Sequence, residues 1–107
     1  MNTYSEKELH AMPDAEFNRV VAEMAGFSRS FTPNFATSID TAWALIDERL
    51  VVDLFRAESG KNTEAQLMEW TDKSFETSEY ECWEAEHTQP ARALATAWVL
   101  WKQERTP

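Results

Sequence analysis

The chain has 107 residues, of which 43% are hydrophobic and 12% aromatic, and its formal net charge is −9. This length suits one domain, residues 1–107, and the apolar content is too high for a disordered chain. No apolar run approaches the ~20 residues that a membrane span needs. The polar N-terminus does not resemble a secretion signal, and the single Cys82 excludes an internal disulfide framework, so we expect a cytoplasmic protein.

Two helices are predicted at the N-terminus. Ser5 and Glu8 have the spacing of a capping box, which predicts a short helix that ends near Ala11. Pro13 suits the first position of a second helix, and Gly26 suits a left-handed cap at its C-terminus. The second helix has an apolar stripe at the spacing i, i+3, i+4 and i+7, formed by Phe17, Val20, Val21 and Met24.

A loop and a third helix follow. Residues 27–37 contain Pro33, Asn34 and several hydroxyl side chains, which predicts a loop. We expect its phenylalanines to fix the loop to the core, and a binding surface is the alternative. These residues are Phe27, Phe31 and Phe35. A third helix is expected to begin near Ser38, and its predicted apolar face is Ile39, Ala42, Trp43, Ile46 and Leu50.

The remaining chain predicts three strands and a final helix. The strands are Leu50–Ala57, Ala65–Thr71 and Phe75–Glu86, with a turn at 59–62. Their short connections favour an antiparallel meander. The last helix follows Pro90 and has a broad apolar face of Ala91, Leu94, Ala95, Trp98 and Trp101. The predicted fold class is therefore α+β, with a small three-stranded antiparallel sheet packed with N-terminal helices and a C-terminal helix, in the order α-α-α-β-β-β-α.

The acidic excess is concentrated in one part of the chain. Residues 64–86 contain eight acidic residues and one lysine, so this segment alone contributes −7. Such a field repels nucleic acid and anionic membranes and favours a protein partner with a basic surface. Solubility alone is the alternative interpretation. The candidate protein-binding face is Glu69, Glu76, Glu79, Glu81, Glu84 and Glu86.

The alternation of the last predicted strand changes phase at Cys82–Trp83. Glu79 and Glu81 are out of phase with Glu84 and Glu86. A β-bulge at this point would place all four glutamates on one face, and regular pairing through these residues would exclude it. We expect the Cys82 thiol itself to be a small core side chain.

No chemical motif points to catalysis. Two glycines are too few for a phosphate-binding loop. His87 lies near Cys82, Glu84 and Glu86, but the spacing is not that of a tetrahedral metal site. We therefore expect no enzyme activity, no cofactor and no metal.

Three stretches of the chain resemble the phage ABA sandwich domain family. They are EKELHAMPDAEFNRVVAEMAGF, FATSIDTAWALIDERL and WEAEHTQPARALATAWVLW. The resemblance implies helices on both sides of a small antiparallel sheet, a phage or prophage origin and a place in the host bacterial cell, and it assigns no functional residues. The glutamate-rich last strand departs from a sheet covered on both faces, so we expect one side to stay open.

The functional expectation is a phage or prophage accessory protein that binds a host or phage protein without catalysis. The first alternative is an inhibitor of a host defence system whose glutamates imitate nucleic-acid phosphates. The second alternative is an enzyme or small-molecule binder, which would require a pocket with convergent polar groups. For a homodimer, the candidate surfaces are Trp98 or Trp101 and a sheet edge.

Overall fold

A computed structural model describes residues 3–28, 31–47, 50–57, 60–69 and 81–105. The described helices are α1 (Glu6–Ala11), α2 (Asp14–Ala25), α3 (Ile39–Trp43) and α4 (Pro90–Arg105). The described strands are β1 (Leu50–Arg56), β2 (Thr63–Glu69) and β3 (Cys82–His87). The α+β class and the predicted order of elements are confirmed. The predicted connection between the second and third strands lies outside the described residues.

The ends of the first two helices follow the sequence signals closely. The Ser5 hydroxyl accepts a hydrogen bond from the Glu8 amide (3.1 Å), and the Glu8 carboxylate accepts one from the Ser5 amide (3.2 Å), so the capping box is confirmed. Gly26 ends α2 with a left-handed φ of 86°. Pro13 is the N-cap of α2 and not its first helical residue, because its ψ of 154° is extended.

The third helix is shorter than predicted, and its expected apolar face is wrong. It ends at Trp43, and only Ala42 of its predicted face within the helix is buried, whereas Ile39 and Trp43 are exposed. The chain leaves the helix in tight turns, with the amide of Ile46 bonded to the carbonyl of Trp43 (3.0 Å). Leu50 is buried as the first residue of β1 instead, so strand geometry and not helix geometry places it in the core.

The sheet is antiparallel with the order β1-β2-β3, so β2 is the central strand of the three that are described. Leu50 lies opposite Glu69 at one end of the β1–β2 pair. The β2–β3 register runs without interruption from Thr63 opposite His87 to Met68 opposite Cys82. The predicted bulge at Cys82–Trp83 is therefore wrong.

Helix α4 connects the sheet to the other helices. It packs on β2 and β3 and also contacts α1, α2 and α3, and its residues 91–99 are all buried. Trp98 and Trp101 are among its buried side chains, which disfavours the sequence-based idea of a dimer through these tryptophans. Among the described helices, α4 thus packs on one face of the sheet and connects it to the other three. No described helix covers the other face.

A buried arginine joins α4 to the N-terminal helices. Arg92 is 3% exposed, and its guanidinium donates to the Asp14 carboxylate (2.6 Å) and to the backbone carbonyls of Leu9 (2.7 Å) and Met12 (2.5 Å). It also lies 4.4 Å from the centroid of the Phe17 ring. The carbonyls at the end of α1 therefore obtain a hydrogen-bond donor from a distant helix, and that of Leu9 also accepts from the Met12 amide (3.4 Å).

Candidate functional site

One face of the sheet is turned away from α4, and we call it the open face. Because the strands are in regular register, its side chains form three rows across the sheet. The rows are Val51, Met68 and Cys82; Asp53, Gln66 and Glu84; and Phe55, Glu64 and Glu86. Asp53, Phe55 and all three β3 residues of these rows are exposed, and the β2 residues between them are partly exposed. The face therefore combines carboxylates with a smaller apolar part.

Four carboxylates form the acidic cluster of the open face: Asp53, Glu64, Glu84 and Glu86. Glu64 lies directly opposite Glu86. The Glu69 amide donates to the Glu81 carbonyl (3.4 Å), so by alternation the Glu64–Glu86 pair is of the non-hydrogen-bonded kind, in which side chains approach most closely. The pKa of Glu64 is raised, first by partial desolvation and then by the charges of Glu84 and Glu86. The negative charges are therefore close enough to affect one another.

Two neutral amides hold the carboxylates of β3 in place. Gln66 donates from its side-chain nitrogen to Glu84 (2.9 Å), and Asn62 donates to Glu86 (3.1 Å). No lysine or arginine within the described ranges forms an ion pair with a carboxylate of the acidic cluster. The hydrogen bonds thus orient the negative charges without neutralising them.

The structure separates the glutamates that the sequence had grouped. Glu84 and Glu86 lie on the open face, as predicted. Glu69 does not: it is 5% exposed on the face toward α4, where it accepts a hydrogen bond from the Trp101 indole (3.2 Å). Glu81 is exposed but lies before β3, opposite Glu69. The remaining two candidates, Glu76 and Glu79, lie outside the described residues.

Two members of the acidic cluster were not among the predicted site residues. Glu64 belongs to the acidic segment, but only the β2–β3 register shows that it faces Glu86. Asp53 lies on β1, outside that segment, and reaches the same face because it pairs with Gln66. Alternation along β2 was the available signal, since it separates Glu64 from Glu69 by an odd number of positions.

The side chains near the acidic cluster do not form a reactive centre. Cys82 is exposed on the open face, and not a core side chain as expected, because the regular register turns it away from α4. Its pKa is raised by desolvation and by the nearby Glu84 carboxylate, which keeps the thiol protonated and a poor nucleophile. Among the residues that the structure describes, no group of three or more potential ligands is placed to hold a metal ion.

The two histidines form a pair at the end of β3. The rings of His10 and His87 are 5.0 Å apart in an edge-to-face arrangement, and His87 accepts a hydrogen bond from the Gln89 amide (2.9 Å). The pKa of each is lowered, mainly by partial burial and then by neighbouring positive charge, including that of Arg92. The neutral forms are therefore favoured, and the pair joins α1 to the sheet.

A second surface is aromatic. Phe35 is buried, as expected for a residue that fixes the loop, but Phe27 and Phe31 are exposed and lie 5.8 Å apart between ring centroids. With Trp98 and Lys102 they line a groove of about 480 Å³. The groove is predominantly apolar, and it lacks the several convergent polar groups that are typical of a specific small-molecule site.

No protein-family model, no curated protein and no solved structure matches the chain. The resemblance to the phage ABA sandwich domain family stays a prediction. None of the described helices is long and apolar enough to cross a membrane. The geometry of the described residues is thus what bears on function.

Proposed function

We propose that this protein is a phage or prophage accessory protein that binds another protein through the open face, without catalysis. The observation that supports this proposal is the acidic cluster: exposed carboxylates on a rigid sheet, oriented by amide hydrogen bonds and without a basic ion-pair partner in the described part of the chain. The phage or prophage origin is supported by the resemblance of the three stretches noted above. The partner is expected to present lysine and arginine side chains.

The cost of the acidic cluster to the folded chain favours a role in binding. Like charges directly opposite each other on neighbouring strands destabilise a sheet, and Glu64 and Glu86 are such a pair. A basic partner surface would replace this repulsion by attraction and accelerate the encounter of the two proteins. Solubility alone does not require the charges to be at facing positions.

The test compares two variants with the same net charge. The open-face variant carries Glu64→Gln, Glu84→Gln and Glu86→Gln. The control variant carries Glu16→Gln, Glu23→Gln and Asp40→Asn, which are exposed positions on α2 and α3. Each variant has three fewer negative charges, so only the location of the change differs.

Each variant and the wild type are immobilised, and bacterial host lysate is passed over them at low and at high salt. We expect a partner that the wild type and the control retain at low salt, that high salt releases, and that the open-face variant fails to retain. Equal retention by all three proteins would refute binding through the acidic cluster. Equal loss in both variants would show that net charge and not the open face is responsible.

A second candidate is an inhibitor of a host defence system that occupies the phosphate-binding groove of a nuclease. It is favoured by the same ordered carboxylates, since negative groups held on a rigid face can occupy sites built for phosphate. Its test is competition: the wild-type protein should displace DNA from the captured partner, and the open-face variant should not. A partner that keeps its DNA while it is bound to the protein would exclude this mimicry. The protein would then bind the partner at a surface of the partner other than its DNA groove.

A further inference from the structure

The outer edge of β1 presents backbone groups that no described strand uses. The Ala57 amide donates to the Asn62 carbonyl of the β2 side (3.0 Å), so Ala57 and alternate residues before it direct their backbone toward β2. Val52, Leu54 and Arg56 therefore direct their amides and carbonyls outward. None of these three residues has another hydrogen-bond partner among the residues that the structure describes.

The outer edge of β3 is different, because α1 reaches it. The Glu6 carboxylate of α1 lies near the backbone amide of Glu86 there. An edge that is covered in this way is protected against the addition of another strand, whereas an uncovered edge is a template for one. Among the described strands, β1 is the one whose outer backbone has no such contact with a described residue.

The side chains around the β1 edge are unusually apolar for a surface. Leu54 is 36% exposed, Phe55 42% and the neighbouring Ile39 38%. These are three of the six large hydrophobic residues that are exposed in the described part of the chain. Together with Arg56, Pro90 and residues 60–63 they line a cleft of about 420 Å³ at the end of β1 that leads into the turn to β2. The cleft gives the apolar side chains of an added strand a place to pack.

The charge of the edge favours a second copy of this chain as the occupant. β1 contains one acid, Asp53, and one base, Arg56, so the strand is neutral although the chain carries −9. The glutamates of the acidic cluster lie on β2 and β3, away from the outer edge of β1. Two copies can therefore meet edge to edge without bringing their strongest negative regions into contact.

We propose that β1 pairs with β1 of a second copy, antiparallel and around a two-fold axis at Leu54. In this register Leu54 faces Leu54 of the second copy, and Val52 faces its Arg56. The three outward-directed residues then form three hydrogen-bonded pairs, each exchanging two bonds, so every outward amide and carbonyl of Val52, Leu54 and Arg56 is used. The two sheets become one continuous sheet, and both open faces lie on the same side of it.

Other registers are less favourable. A hydrogen-bonded pair across the two-fold axis needs two residues whose backbones both point outward. The axis can therefore lie only at a residue position of β1, and not between two positions. An axis at Asp53 places two carboxylates opposite each other, which destabilises the pair. An axis at Phe55 leaves Val52 without a described partner. The register at Leu54 also brings the two Phe55 rings to diagonal positions, within reach of an aromatic contact.

The first test uses proline to block the edge. Leu54→Pro removes one outward amide hydrogen while all bonds to β2 remain, and Leu54→Val is the control that keeps the amide. Light scattering over a concentration series should show a dimer for the wild type and for Leu54→Val. Leu54→Pro should be monomeric with an unchanged circular dichroism spectrum. A wild type that stays monomeric at all concentrations, or a Leu54→Pro variant that folds and still dimerises, would overturn the proposal.

The second test does not depend on the proline variant folding. In a Cys82→Ser background, Leu54→Cys places two thiols across the two-fold axis in a hydrogen-bonded pair, where the Cα atoms are about 5.5 Å apart and a disulfide fits. Under mild oxidation we expect cross-linked dimer to form much faster than with Glu16→Cys, a control for random collisions. Equal rates would overturn the proposal. Faster cross-linking of Phe55→Cys than of Leu54→Cys would overturn the register.

Discussion

Replacing Arg92 by leucine removes the donor that joins α4 to the end of α1. The Met12 carbonyl would lose its guanidinium donor and the Leu9 carbonyl would keep only the Met12 amide (3.4 Å), and an unsatisfied buried polar group costs about 1–3 kcal/mol. The contact with the Phe17 ring adds about 0.5–2 kcal/mol. Removal of a buried charge, whose Nε has no hydrogen-bond partner, offsets part of this loss. We expect the free energy of unfolding to fall by about 3 kcal/mol for Arg92→Leu.

The ion pair with Asp14 should contribute much less than the two carbonyl contacts. The Asp14 side chain is 62% exposed, and an exposed ion pair contributes at most about 1 kcal/mol. Asp14→Asn, which keeps a hydrogen-bond acceptor near the guanidinium, is therefore the matched control and should cost less than about 1 kcal/mol. Comparison of Asp14→Asn with Arg92→Leu thus separates the contribution of the ion pair to stability from that of the hydrogen bonds to the backbone.

The measurement is urea unfolding at neutral pH, followed by circular dichroism and analysed with a common slope if the slopes agree. Arg92→Lys should lie between the wild type and Arg92→Leu, because an ammonium group does not reproduce the planar set of guanidinium donors. The reasoning is refuted if Arg92→Leu is within about 1 kcal/mol of the wild type, or if Asp14→Asn is as destabilising as Arg92→Leu.

Three further predictions concern single sites. Glu69→Ala should lower the free energy of unfolding by about 1–3 kcal/mol, because the buried Trp101 indole loses its acceptor, and Glu69→Gln should cost less; equal effects in urea unfolding would contradict this. Gly26→Ala should cost about 1–2 kcal/mol through its left-handed φ alone, since no atom lies within 4 Å of the added carbon, and a stability equal to that of the wild type would contradict it. The pKa values of His10 and His87 are lowered in the fold, so the unfolded chain binds more protons and the free energy of unfolding should fall as pH falls below about 6.5. His10→Gln should make the free energy of unfolding less dependent on pH between pH 7 and pH 5, and an unchanged pH dependence would contradict the role of the histidine pair.

Local signals in the sequence were sufficient to predict the helix ends that depend on neighbouring residues. The capping box at Ser5 and the glycine at 26 each act within one helical turn, so the chain itself specifies where α1 begins and α2 ends. The class of the fold followed from the same kind of pattern. The third helix was predicted poorly because Leu50 fits a helical stripe and a strand equally well, and only packing decides between them.

Burial of individual polar residues could not be read from the sequence. Arg92 follows Pro90 and Ala91 in an apolar helix, and nothing local indicates that it reaches Leu9, 83 residues away. Glu69 likewise looks like its acidic neighbours but accepts a bond from Trp101 in the core. Such contacts depend on which elements meet, and they are properties of the tertiary structure.

Composition and local patterning were enough to indicate an acidic α+β fold with a concentration of glutamates between residues 64 and 86. Which acids share a surface depended on how the strands pair, because side chains alternate along a strand and the register between strands sets which of them meet. Strand pairing turned Glu69 inward, placed Glu64 and Asp53 beside Glu84 and Glu86, and left the outer backbone of β1 without a hydrogen-bonded strand among the described residues.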